Sequence, residues 1–176
     1  ERPRGSPGGA HDVRTAVHDS DGLVIWNGKG EWLWRPLTNP DTLQISEFID
    51  DNPRGFGLLQ RRRAFADYLD LEAHYHRRPS LWMEPIGHWG SGAVQLIEIP
   101  SKTEYHDNVV VFWRPAQPIP AQSEDRRTYR LHWCWTPPVT PPLATTADTR
   151  VGPGPEKGTR LFVIDFVGGR LAELTP

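Results

Sequence analysis

Three carboxylates sit at the edges of apparent strands and could do proton chemistry. Asp19 and Asp21 lie in HDSDG, directly before a hairpin carrying Trp26, Trp32 and Trp34; Asp107 lies in EYHDN, directly before the apolar run VVVFW. Hydrolysis of a glycosidic bond needs one carboxyl group to protonate the leaving oxygen and another to activate water. A carboxyl at the mouth of a buried strand is expected to be partly desolvated, which favours the protonated form a general acid needs. A plainer reading stands beside each. Asp-Ser-Asp-Gly is ordinary turn composition, and Asp107-Asn108 could simply close a loop. Glu84, Glu98 and Glu104 compete for the same roles, and spacing does not separate them. Asp67, Asp70 and Glu72 are expected to be solvated.

Aromatic side chains supply the other half of sugar chemistry, because their flat apolar faces stack on pyranose rings. Tyr68, Tyr75, Trp82 and Trp89 surround RRPSLWMEPIGHWG, mixed with Arg77, Arg78 and Glu84, and resemble a glycan-binding surface. Trp82, between Leu81 and Met83, reads equally well as core; Trp89, beside glycines, is expected to be exposed. His74-x-His76 has metal-ligand spacing but no firm third ligand, so no metal is expected. His132-x-Cys134 reads as a packed core edge. There is no Gly-rich phosphate loop, no GxSxG elbow and no Cys/His nucleophile arrangement. No cofactor is implied.

These residues must be positioned by strands. The chain of 176 residues has eighteen prolines and eight tryptophans, a formal net charge of −2 and one cysteine. Abundant proline with scattered glycine disfavours long helices. The balanced charge argues against nucleic acid, and Arg61-Arg62-Arg63 is too short a basic run to change that. No apolar run is long enough for membrane insertion. The single cysteine excludes an internal disulfide.

Residues 22–35 read as a hairpin, with Asn27-Gly28 supplying positive φ in the loop. In its second strand Trp32 and Trp34 share one face, and Glu31, Leu33 and Arg35 the other. Further strands are predicted at 43–48, 54–60, 80–85, 92–100, 108–115 and 128–135. VVVFW is apolar on both faces and is expected in a sheet covered on each side. In the last strand Tyr129, Leu131, Trp133 and Trp135 point one way, and Arg130, His132 and Cys134 the other. Residues 61–78 fit a short helix or a long loop. Residues 136–158 are rich in Pro, Thr and Gly, as linkers are. TRLFVIDFVGGRLAEL reads as a fresh hairpin about Gly168-Gly169. A lone hairpin is marginal in water, so the chain is expected to be a slice of a longer protein.

VHDSDGLVIWNGKGEWLWRPL, NPRGFGLLQRRRAFADYLDLEAHYHRRPSLWMEP, WGSGAVQLIEIP and DNVVVFWRP together resemble the periplasmic glucan biosynthesis proteins of the MdoG/OpgG and OpgD type. The resemblance implies an all-β fold: the C-terminal part of a galactose-mutarotase-like β-sandwich, then the first strands of an immunoglobulin-like domain. It divides the chain into an unmatched segment 1–16, part of the sandwich at 17–138, a linker at 139–158 and the second domain's start at 159–176. It implies a periplasmic location, with the signal peptide outside this chain. The partner it implies is β-1,2-linked glucan, with self-pairing as a homodimer left open. It further implies inverting hydrolysis, with Asp107 as acid and Asp19 as base. Asp21 is the fallback base and a substrate contact, with Tyr68, Tyr75, Arg78, Trp82, Glu84 and Trp89. A non-catalytic glucan-binding or scaffolding role in backbone synthesis is the alternative. A mutarotase-like epimerase would instead pair His18 or His106 with a neighbouring aspartate.

Overall fold

The computed structural model describes residues 16–102, 105–140 and 144–174. Among these residues the regular structure is antiparallel β-sheet, punctuated by single 3-10 turns. Contacts divide the chain between Pro138 and Val139 into two units.

The first unit holds two sheets. Strands β1 (Gly22–Trp26), β2 (Trp32–Pro36), β4 (Gly55–Leu59), β5 (Ser80–Ile86) and β8 (Thr128–Cys134) form one, in the order β2-β1-β4-β5-β8. Strands β3 (Gln44–Asp51), β6 (Ser91–Glu98) and β7 (Val109–Pro115) form the other, in the order β3-β6-β7. The inner faces meet in one core: Leu23, Ile25 and Phe56 from the larger sheet pack with Val94, Leu96 and Trp113 from the smaller, and Trp89 joins them. Burying these apolar faces against each other is the main force holding the two layers together.

The outer face of the larger sheet carries a second aromatic layer. Trp32 stacks between Trp26 and Trp82, with centroid separations of 5.4 and 5.7 Å. Trp82 lies flat over Gly55, where an added Cβ would fall 2.1 Å from its ring. Period-2 alternation places Trp32 and Trp34 together on this face, as expected.

Three local expectations are corrected. Gly30 (φ 92°), not Asn27-Gly28, takes the left-handed position in the first hairpin loop. β7 is an edge strand, and Val110 on its outer side is 44% exposed, so this strand is not covered on both faces. The most buried strand of that sheet is its middle one, β6, where Ala93, Val94 and Leu96 are buried. Of the two readings open for residues 61–78, the long loop is the one that forms, with two 3-10 turns, Phe65–Asp67 and Tyr75–Arg77, packed around buried Tyr68 and Tyr75.

The third correction concerns the second unit, which is a hairpin of β9 (Thr145–Pro153) and β10 (Arg160–Val167). β9 lies inside the stretch expected to be linker. Its Thr145, Thr146, Thr149 and Val151 are β-branched and favour extended backbone, a signal hidden by the surrounding prolines. The turn therefore falls at 154–159. Gly168 and Gly169 instead lead into a 3-10 turn, Leu171–Glu173.

Candidate active site

The segment before β1 is held by side chains and amides from distant loops. Asp21 donates its N–H to the Leu59 carbonyl at 2.9 Å and accepts the Leu37 N–H at 3.1 Å. Its Oδ2 accepts the N–H groups of Arg61 (3.1 Å) and Arg62 (3.4 Å). Asp21 is thus committed to backbone groups of two distant segments, through its main chain to Leu37 and Leu59 and through its carboxylate to Arg61 and Arg62. Asp19 is different. Its side chain is 58% exposed, and Arg78 Nη1 lies 3.2 and 3.3 Å from its two oxygens. Between them and the core, His18 Nδ1 meets Gln60 Oε1 at 3.2 Å. Burial pushes the His18 imidazole below its ordinary value of 6.5, against the opposing pull of Asp21.

Asp107 precedes β7 on an exposed loop and makes no hydrogen bond or ion pair with another described residue. The burial expected around it is not found, because Asp107 is exposed on the loop ahead of the strand. Its neighbour Asn108 is well fixed. The Asn108 carbonyl accepts the Ile99 N–H at 2.8 Å, and its amide donates to the Ile99 carbonyl at 3.1 Å.

The two aspartates belong to one end of the sandwich. Gly22 of β1 faces Pro36 of β2, and Glu98 of β6 faces Val109 of β7. The short connection 37–39 joins these two ends. Leu37 bonds Asp21; Thr38 donates its N–H to Glu98 Oε1 at 2.6 Å; Asn39 donates to the Ser101 carbonyl at 2.7 Å and accepts from Asn108 at 3.4 Å. Glu98 is fully buried and pairs with Arg35 at 2.7 Å. It therefore fastens the two sheets and has no open face for a substrate. Glu104, the other competitor in this loop, lies outside the described residues.

The expected aromatic contacts are mostly closed. Tyr68, Tyr75, Trp82 and Trp89 are 0, 6, 1 and 6% exposed, so their rings offer no free face for a sugar in this chain. The expectation that Trp89 is exposed is corrected: it is in the main core, and its Nε1 donates to the Thr128 carbonyl at 3.1 Å. Burial pushes the Tyr68 phenol well above its ordinary range, and its hydroxyl donates to the Arg62 carbonyl at 3.3 Å. Asp70 is also not solvated. It is 3% exposed and accepts the N–H groups of Glu72 and Ala73, both at 2.8 Å.

Glu84 remains accessible on the outer face of the larger sheet. One of its oxygens accepts from His132 at 2.8 Å and Arg130 at 3.1 Å, and the His132 bond holds its carboxyl below the usual carboxylate range. The His74 and His76 rings meet edge to face at 5.9 Å. No group of three or more metal-capable side chains occurs among the described residues. The open tryptophans are Trp133 and Trp135, 69 and 60% exposed. Alternation along β8 placed them on one face but carries no information on whether that face is covered. Asn39 and Gln60 were not singled out by sequence, and Arg61 was read only as part of a basic run; their roles depend on partners 40 or more positions away in several cases, as for Gln60 with His18.

A two-layer antiparallel sandwich with exposed carboxylates at one end defines a β-sandwich protein with a candidate acid–base site. The model of the family described as periplasmic glucan biosynthesis protein, MdoG, matches residues 4–176, and the chain belongs to that family. The match reaches further toward the N-terminus than Val17, where the resemblance by eye begins. The chain is 56% identical over 161 residues to glucans biosynthesis protein G of Vibrio cholerae O395, covering 88% of this chain and 29% of the relative. It is 57% identical over 165 residues to the Rhodopseudomonas palustris protein of the same name, covering 94% and 33%. The Shewanella sp. W3-18-1 protein of that name is 53% identical over 169 residues, with 94% and 31% covered. The chain thus spans about a third of the length of the curated relatives it matches. No helix among the described residues is long and apolar enough to cross a membrane.

Proposed function

We propose that the full-length protein acts in the periplasm on β-1,2-linked glucan and hydrolyses it with inversion. The observation that carries this reading is that Asp19 and Asp107 are both exposed at one end of the sandwich, bridged by the 37–39 connection. Asp107, with its carboxyl facing solvent, is the general acid and gives its proton to the glycosidic oxygen. Asp19 is the general base and receives a proton from water, whose oxygen attacks the anomeric carbon from the opposite face. A chain of waters between base and nucleophile permits a wider carboxylate separation than direct activation. Asp21 is an inferior base, because its carboxylate already holds two backbone amides. Arg78 and Glu84 are the polar side chains from the expected contact set that stay accessible.

Full-length protein carrying Asp107→Asn should lose about 10²–10⁴-fold in release of reducing ends from linear β-1,2-glucan. It should still bind the glucan. Undiminished product release from this variant refutes the acid assignment. The name shared by the relatives, a biosynthesis protein, favours a second reading: a binding or scaffolding role in glucan synthesis. In that case the wild-type protein binds linear β-1,2-glucan and leaves its chain length unchanged.

A further inference from the structure

Residues 61–78 are the longest irregular stretch between strands of the sandwich unit, yet they are anchored by two buried tyrosines. Irregular segments of this length in a compact domain usually serve function. The polar fastenings of this one converge on residues 18–21. The amides of Arg61 and Arg62 hold Asp21. The Tyr75 carbonyl accepts from Gln60 at 3.1 Å, and Gln60 in turn contacts the His18 ring and carbonyl. The Tyr68 ring meets His18 edge-on at 5.4 Å. The end of the loop delivers Arg78 to Asp19.

We infer that Arg78 is a positioning residue for Asp19, fixing the carboxylate's orientation from a guanidinium that the 61–78 loop holds in place independently. The guanidinium is tethered away from Asp19 as well. Its Nε donates to the Ala73 carbonyl at 3.2 Å and its carbon lies 5.2 Å from the Tyr75 ring centroid; the backbone of the same residue is held separately, its carbonyl accepting from Arg63. A cation fixed at its far side restricts the rotamers of the carboxylate it meets. An exposed ion pair contributes little to folding. Loss of Arg78 is therefore expected to change the reaction and not the stability. The inference rests on Asp19 being the base, and the experiment separates the two ideas.

The test uses full-length protein and linear β-1,2-glucan. Misplacing a reacting group by about 1 Å can cost about 10²-fold, so Arg78→Ala should lower kcat about 10²-fold. KM should move by less than about twofold, because on this inference the guanidinium is committed to Asp19 and the Ala73 carbonyl and not to the glucan. Thermal melting should be unchanged. Arg78→Lys keeps the charge but loses the Nε tether, and should fall between. Added guanidinium ion should restore part of the Arg78→Ala rate. Because Arg78 acts only through Asp19, Asp19→Asn and the double variant should have equal rates. A wild-type kcat in Arg78→Ala beside an inactive Asp19→Asn overturns the inference alone. So does a raised KM with kcat kept, which would make Arg78 a glucan contact. Wild-type cleavage by Asp19→Asn overturns the base assignment and the inference with it.

Discussion

Replacing Glu98 tests whether the end of the sandwich that carries both aspartates is held together by one buried carboxylate. Glu98 is completely enclosed and accepts three hydrogen bonds: from Arg35 at 2.7 Å and from Thr38 N–H and Oγ1–H at 2.6 and 3.1 Å. Removing one partner of a buried ion pair typically costs about 3–5 kcal/mol. Arg35 retains 26% side-chain exposure and can turn to water, which points to the lower end of that range. Glu98→Ala should therefore destabilise by about 3 kcal/mol. Glu98→Gln keeps an acceptor for Thr38 but loses the charge opposite Arg35, and should cost about 1.5 kcal/mol. The assay is urea unfolding of the full-length protein followed by tryptophan fluorescence, which reports on the tryptophan-rich sandwich. The urea slope is about 1–3 kcal/mol per molar for small proteins and steeper for larger ones, so the Glu98→Ala midpoint falls by about 3 kcal/mol divided by the slope measured for the full-length protein. The reasoning fails if both variants unfold within about 0.5 kcal/mol of wild type, the scatter expected of surface substitutions.

Two further outcomes are expected. Gly55→Ala would place a Cβ 2.1 Å from the ring of Trp82, which is 1% exposed and stacked on Trp32; overpacking should cost about 1–3 kcal/mol, with a change in near-ultraviolet circular dichroism. An unchanged spectrum and melting temperature would contradict the described stack. His18 has its proton affinity lowered by burial, so the unfolded chain binds that proton first and stability falls as pH drops below about 6.5. His18→Gln should lose less melting temperature than wild type between pH 7 and pH 5, and parallel curves for the two proteins would rule this out.

Much of the fold was legible because its signals are local. Period-2 alternation in WLWR and TYRLHWC set which residues share a face, and the hairpin at the first strands followed from its glycine-containing loop. The linker-like stretch misled because proline and threonine counts describe composition, whereas β9 exists through pairing with β10. The site was legible in part. Asp19 and Asp107 could be singled out by type and by position at strand mouths. Glu98 and Asp21 have the same chemistry on paper, yet one is enclosed by Arg35 and Thr38 and the other is bound by two amides.

By itself the sequence determined that this chain is β-structured, that it resembles the glucan biosynthesis family, and which carboxylates deserve scrutiny. Residue type, spacing and backbone preference act within a few positions, so they can be read along the chain. Only the tertiary structure decided which aromatic rings are open: Tyr68, Tyr75, Trp82 and Trp89 are enclosed, while Trp133 and Trp135 are exposed. It alone brought Arg78 to Asp19 across 59 positions and tied Asn39 to Asn108 across 69. Exposure and long-range pairing depend on what other parts of the chain pack alongside, and nothing within the local sequence encodes that.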